Sequence, residues 1–222
     1  MDLNPPDDKP SAPLAEMDSG EWRDSPTVLL LVDFINPLRF EGAEDIAQAA
    51  VAAARMTTEL KRQLMSQGAA TIYANDNYGQ WRSNFHQLVE HCLAQPGAPA
   101  EMARLLRPDE RDLMVLKPRH SAFYATPLEV LLQQMHTRRL VITGLATDIC
   151  VQMTAMDARL RGYEVWVPAD CTASEQPRWQ EESLSYLRRV LRCDTTTAAD
   201  MLAQPAGTPL AQAPHQVPNP TS

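Results

Sequence analysis

Apolar and polar positions alternate in blocks along the middle of the chain. Thr27–Asp33 (TVLLLVD) is a continuous apolar run ending on a carboxylate, as expected of a strand buried on both faces. Ala43–Gln67 is rich in Ala, Leu, Met, Glu and Gln, lacks Pro and Gly, and is closed by Gly68, which predicts a long helix with a glycine stop. Ala69–Ala74 reads as a second strand, followed by the polar stretch NDNYGQW. Residues 83–94 and 99–106 have helical character, interrupted around Pro96–Pro99. Further strands are expected at Leu113–Lys117, Arg139–Thr143 and Tyr163–Val167, and further helices at Pro127–Met135, Thr147–Arg161 (ended by Gly162) and Glu181–Arg192. Thr195–Thr197 suggests a short sixth strand. Strands that alternate with helices imply a doubly wound α/β fold: a mainly parallel six-stranded sheet, helices on both faces, three layers in all. No internal repeat is visible.

Composition sharpens the boundaries. Of the 18 prolines, five lie in residues 1–26 and five between Pro205 and Pro220. Residues 1–26 also carry a net charge of −5, whereas the last twenty residues carry no charged side chain. The expected organisation is a disordered or loosely docked tail over 1–26, one domain over 27–202, and a Pro-rich tail over 203–222. The domain then holds only about −3 of the total charge of −8. Without a Lys/Arg stripe it is a poor nucleic-acid binder. No apolar run is long enough to span a bilayer, and the start MDLNPPDDKP is unlike a secretory signal. Four cysteines without CxxC spacing are sparse for a disulfide scaffold, so a cytoplasmic protein with reduced thiols is expected.

In open parallel sheets ligands bind beyond the carboxyl ends of the strands. Three reactive side chains fall there: Asp33 closes the first strand, Lys117 the third, and Cys150 lies in the first turn after the fourth, within GLATDIC. A helix N-terminus and a neighbouring ammonium lower a thiol's pKa. A carboxylate can take the thiol proton, and backbone N–H groups in the turn can hold an oxyanion. Singly, each residue is ordinary: an aspartate caps a turn, a lysine solvates a strand end, a cysteine packs a core. Together they assemble the parts for acyl transfer.

Three segments then show a resemblance: LLLVDFIN, LKPRHSAFYATPL and GLATDICVQMTAMDARLRGYEV, in that order. Over about residues 27–200 the chain resembles the isochorismatase-like cysteine hydrolases, a family that includes nicotinamidases, N-carbamoyl-amide hydrolases and isochorismatases. The resemblance implies that Asp33, Lys117 and Cys150 are the catalytic aspartate, lysine and cysteine. It also implies a cis Leu145–Ala146 peptide that aims the Ala146 N–H, with that of Cys150, at the oxyanion. Trp81 and Phe123 fall in regions that line the substrate pocket of relatives, with core or interface packing as the alternative. Nicotinamidases carry a metal-binding Asp and two His after the second strand. Here Asp76 matches the aspartate, but Tyr78 stands in the first histidine's place and no histidine precedes His86. No metal and no cofactor is expected.

The implied function is hydrolysis of a C–N bond in a small amide, carbamoyl or ureido compound through a thioester on Cys150. One alternative is an isochorismatase-type enol-ether hydrolase that uses Asp33 without a thiol nucleophile. Another is a non-catalytic binding or thiol-sensing module. The resemblance also implies a homo-oligomer, dimer or tetramer. His120 follows the lysine motif and borders the site, with a role at the surface or in support of the reacting groups; Met153 and Met156 read as core, and Cys92, Cys171 and Cys193 as structural or inert.

Overall fold

The computed structural model describes residues 24–78 and 84–204. The two expected tails (apart from residues 24–26 and 203–204) and Trp81 lie outside the described residues. The elements follow the order β1 (Thr27–Val32), α1 (Ala43–Ser66), β2 (Ala70–Asp76), α2 (Phe85–Leu93), α3 (Ala98–Leu105), β3 (Leu113–Lys117), α4 (Leu128–Gln134) and β4 (Arg139–Leu145). A single π-turn over Thr147–Val151 leads into α5 (Gln152–Leu160), followed by β5 (Glu164–Trp166), β6 (Thr172–Ala173), α6 (Pro177–Arg189) and α7 (Ala198–Leu202).

The sheet is parallel, with strand order β3-β2-β1-β4-β5 and β6 paired to the end of β4. β1 is central, between β2 and β4, so all six of its residues are buried and its apolar run is continuous. Side chains alternate across the sheet. Leu29, Leu31, Tyr73 and Val141 pack with α1, α2, α3 and α7 on one face. Val28, Leu30, Val32, Ile72 and Ile142 pack with α4, α5 and α6 on the other. Helix α1 presents Ile46, Ala50, Ala53, Ala54, Leu60 and Leu64 at helical spacing. No helix among the described residues is long and apolar enough to cross a membrane.

Several expectations change in detail. The sixth strand is not at Thr195–Thr197. Only Asp194 bridges to Trp166 there, and the Thr197 hydroxyl instead accepts the Asp200 N–H as the N-cap of α7. The true β6 is a two-residue strand, too short to carry a periodic pattern. Ser25, at the end of the stretch expected to be disordered or loosely docked, makes two hydrogen bonds to the domain: its hydroxyl accepts the Ala70 N–H (2.9 Å), and its carbonyl accepts the Thr137 hydroxyl (3.0 Å). Met153, read as core, is 43% exposed.

Candidate active site

Strands β1, β2 and β3 extend the sheet in one direction, and β4 returns to the other side of β1. The order therefore reverses between β1 and β4, where a doubly wound sheet opens a crevice. Asp33 stands at this point, immediately after β1. Its φ of 51° is a left-handed conformation that short polar residues adopt more readily than bulky ones. The Asp33 N–H donates to the Ala74 carbonyl (3.1 Å), and its Oδ1 accepts the Asp76 N–H (2.7 Å). Fully buried Asn75 donates from Nδ2 to the Ile35 carbonyl (2.8 Å), fastening the segment after Asp33 to β2.

Lys117 ends β3, in register with Asp76. Two strand spacings, about 10 Å, separate β3 from β1, so only a long side chain bridges them. Lys117 is fully buried, and its Nζ lies 2.7 Å from Asp33 Oδ2, 3.3 Å from the Arg119 carbonyl and 3.6 Å from Cys150 Sγ. The three residues grouped from strand-end positions thus meet in space.

Cys150 is carried by the π-turn. The Val151 N–H donates to the Ala146 carbonyl five residues back (3.1 Å), and the Ile149 N–H shares that acceptor (3.2 Å). The Leu145–Ala146 peptide is cis. Gly144 lies beside Val32 with φ 128°, and a Cβ there would come 1.9 Å from the Val32 carbonyl oxygen. Only glycine lets β4 run this close to β1 just before the turn. The turn is latched from α6: the Thr147 hydroxyl donates to Gln180 Oε1 (2.5 Å), while Gln180 Nε2 donates to the Thr172 and Ala169 carbonyls (3.2 Å each). Asp148 accepts the Ser174 hydroxyl (2.6 Å). Sequence reading missed Gln180 and Ser174, because a polar residue near a helix start carries no sign of its distant partner.

The electrostatics differ from expectation. Burial, with the Asp33 charge second, pushes the Cys150 thiol up to about 12, against the opposing pull of Lys117. A depressed thiol is therefore not the resting condition: the ammonium already serves Asp33, whose carboxylate disfavours a second anion beside it. Burial also holds the Asp33 carboxyl above its usual range, and the Lys117 charge only partly offsets it. For Lys117, burial pulls the ammonium down, but the charges of Asp33 and Cys150 hold it above its ordinary value.

Cys150 is partly exposed, whereas Cys92, Cys171 and Cys193 are buried. Burial pushes Cys92 up to about 11 and Cys193 up to about 12, in keeping with packing roles. Phe123 is 5% exposed, stacks at 6.1 Å from Tyr163, and lies under the Arg161 guanidinium. These contacts give its ring, on the segment after β3, a packing role against the end of α5. His120, expected to border the site from the surface or from behind the reacting groups, has its Nδ1 3.6 Å from Cys150 Sγ. The Asp76 carboxylate accepts the Tyr78 N–H (2.6 Å). Among the described residues no group of three or more His, Cys, Asp or Glu side chains could hold a metal ion. A lone carboxylate beside a tyrosine does not fit the donor set of a transition metal. Beside Asp76 opens a cavity of about 760 Å³, lined among others by Asn36, Arg39, Asn77 and His91.

Comparison with known proteins shows the family. The Isochorismatase domain model matches residues 27–200. An uncharacterised isochorismatase family protein, YaaI of Bacillus subtilis (strain 168), is 33% identical over 174 residues, covering 78% of this chain and 95% of that protein. The ureidoacrylate amidohydrolase RutB of Serratia proteamaculans (strain 568) is 29% identical over 185 residues, covering 72% of this chain and 75% of the relative. The crystal structure of N-carbamoylsarcosine amidase from Thermoplasma acidophilum superimposes with a TM-score of 0.58 at 26% identity, covering 82% of this chain and 99% of that one. The chain belongs to the isochorismatase family and is a hydrolase.

Proposed function

We propose that this hydrolase cleaves a C–N bond of a small amide, carbamoyl or ureido compound through a thioester on Cys150. The observation that carries the reading is the contact chain at the switch point: Asp33 Oδ2 2.7 Å from Lys117 Nζ, and that ammonium 3.6 Å from Cys150 Sγ. The amidohydrolase and amidase named above act on substrates of this chemical class.

The resting thiol is protonated, and Asp33, whose proton affinity burial has raised, accepts its proton as sulfur attacks the carbonyl carbon. Lys117 stabilises the thiolate at that moment. The N–H groups of Ala146 and Cys150 hold the oxyanion of the tetrahedral intermediate. Asp33 then gives its proton to the leaving nitrogen as the C–N bond breaks. Water hydrolyses the thioester, and the thiol is restored.

The test is steady-state turnover across a panel of amides and ureides. Cys150→Ala and Cys150→Ser should each lose about a thousandfold or more in kcat/KM. Full turnover of the panel by either variant would contradict the covalent mechanism. An enol-ether hydrolase relying on Asp33 would instead turn over an enol ether as Cys150→Ala and lose that activity as Asp33→Ala. We also propose a homo-oligomer, dimer or tetramer. It is supported by Leu160, a large apolar side chain 82% exposed at the end of α5.

A further inference from the structure

Cys150 Sγ has two nitrogen neighbours at 3.6 Å. Lys117 Nζ approaches from the buried interior and His120 Nδ1 from an exposed position. The proposed acylation uses Asp33 and Lys117, both buried, and leaves the imidazole without a task. We propose that His120 is the base of deacylation, taking a proton from the water that attacks the thioester. The inference rests on the thioester reading above and assigns a residue to its second half.

The position of the ring supports the assignment. The attacking water arrives from solvent, where His120 is exposed and Asp33 is not. The turn carrying His120 is fixed on both sides. The Arg119 carbonyl accepts from Lys117 Nζ (3.3 Å), the Ser121 hydroxyl donates to Asp157 Oδ2 (2.5 Å), and the Ala122 N–H donates to Thr154 Oγ1 (3.0 Å). The segment carrying His120 is thus tied to β3 and to α5, the two elements that carry Lys117 and follow Cys150. The titratable groups around it are the Cys150 thiol, Lys117, Arg119 and Tyr124 on its own segment, and Asp157 of α5.

The step balances. A water O–H bond breaks, its proton passes to the free imidazole nitrogen, and the oxygen bonds to the thioester carbonyl carbon. The tetrahedral intermediate collapses, the C–S bond breaks, and its electron pair leaves with sulfur. The imidazolium then returns the proton to Sγ, 3.6 Å away, and the acid product departs.

Stopped-flow hydrolysis of p-nitrophenyl acetate isolates this half-reaction, because its leaving group needs no proton. With His120→Gln, release of the first equivalent of nitrophenolate should stay within about threefold of wild type, while steady-state turnover falls about a hundredfold. Intact-mass analysis should then show acetyl accumulating on Cys150, and hydroxylamine, a stronger nucleophile than water, should restore turnover. The variant replaces an exposed side chain and leaves both core clusters untouched. Equal deacylation in both proteins would overturn the role of His120 and leave the thioester standing. So would acylation and deacylation slowed in the same ratio. Absence of any Cys150 adduct in wild type would overturn the thioester reading and this inference with it.

Discussion

At the scale of single residues, a high-pKa thiol and a buried carboxylate divide the work. Asp33 raises the proton affinity of Cys150, and so the same charge that will accept the proton keeps sulfur protonated at rest. In wild type, alkylation of Cys150 by iodoacetamide should climb about tenfold per pH unit between roughly pH 8 and 10 without levelling, because the thiolate fraction is still growing there. A plateau near neutral pH would contradict the raised thiol. Asp33→Asn removes the carboxylate's charge, so at fixed pH alkylation should rise about tenfold or more while turnover disappears. Lys117→Met, which removes the ammonium's pull toward thiolate, should slow alkylation instead. Opposite signs in these two variants separate their roles in a way that loss of activity alone would not. The triad itself was legible in the sequence, because strand-end positions fall on one edge of a parallel sheet. The thiol's electrostatic state was not, because it depends on which of two partners the Lys117 ammonium faces at 2.7 Å.

At the scale of elements, the site hangs on the packing of β1 against β4 and on the turn that follows. Gly144→Ala sets a methyl 1.9 Å from a backbone oxygen, where no side chain can swing aside. We expect a loss of at least about 2 kcal/mol in urea unfolding, against about 1 kcal/mol for Gly162→Ala, which shares a positive φ but meets nothing within 4 Å. Equal losses would show that φ, and not the close approach, sets the cost. The central strand was legible because burial on both faces leaves an uninterrupted apolar run. The π-turn was not, since Thr147–Val151 and α5 together carry the same apolar spacing as one α-helix. β6 was misplaced because two residues define no period, and Thr197 had a competing use as a helix cap. His120 could be placed only at the border of the site, without a partner, for a similar reason. Its contact with Cys150 joins residues thirty apart in the chain, and only the fold supplies that pairing.

At the scale of the whole molecule, stability and chemistry occupy opposite ends of the sheet. Asp112, just before β3, is paired with Lys61 of α1 (2.5 Å), which also meets the Tyr73 hydroxyl (3.2 Å). Lys61→Met strands a buried carboxylate and should cost about 3 kcal/mol near neutral pH. Burial already holds the Asp112 carboxyl above its usual range. Without its ammonium the folded state binds a proton that the unfolded chain releases, so the variant's deficit should shrink as pH falls and widen as pH rises through that window. A deficit independent of pH in urea unfolding would contradict this. Catalysis at the far end should be unaffected at temperatures where the variant stays folded. For assembly, Leu160→Glu should lower the sedimentation mass if the exposed α5 face joins copies of the chain, and an unchanged mass would place the contact elsewhere. The claim on which the rest depends is the covalent one. Rapid-quench mass spectrometry during turnover of an amide or ureide substrate, with peptide mapping, should find the acyl group on Cys150 alone. An unmodified Cys150 during full turnover, with undiminished activity in Cys150→Ala, would contradict it.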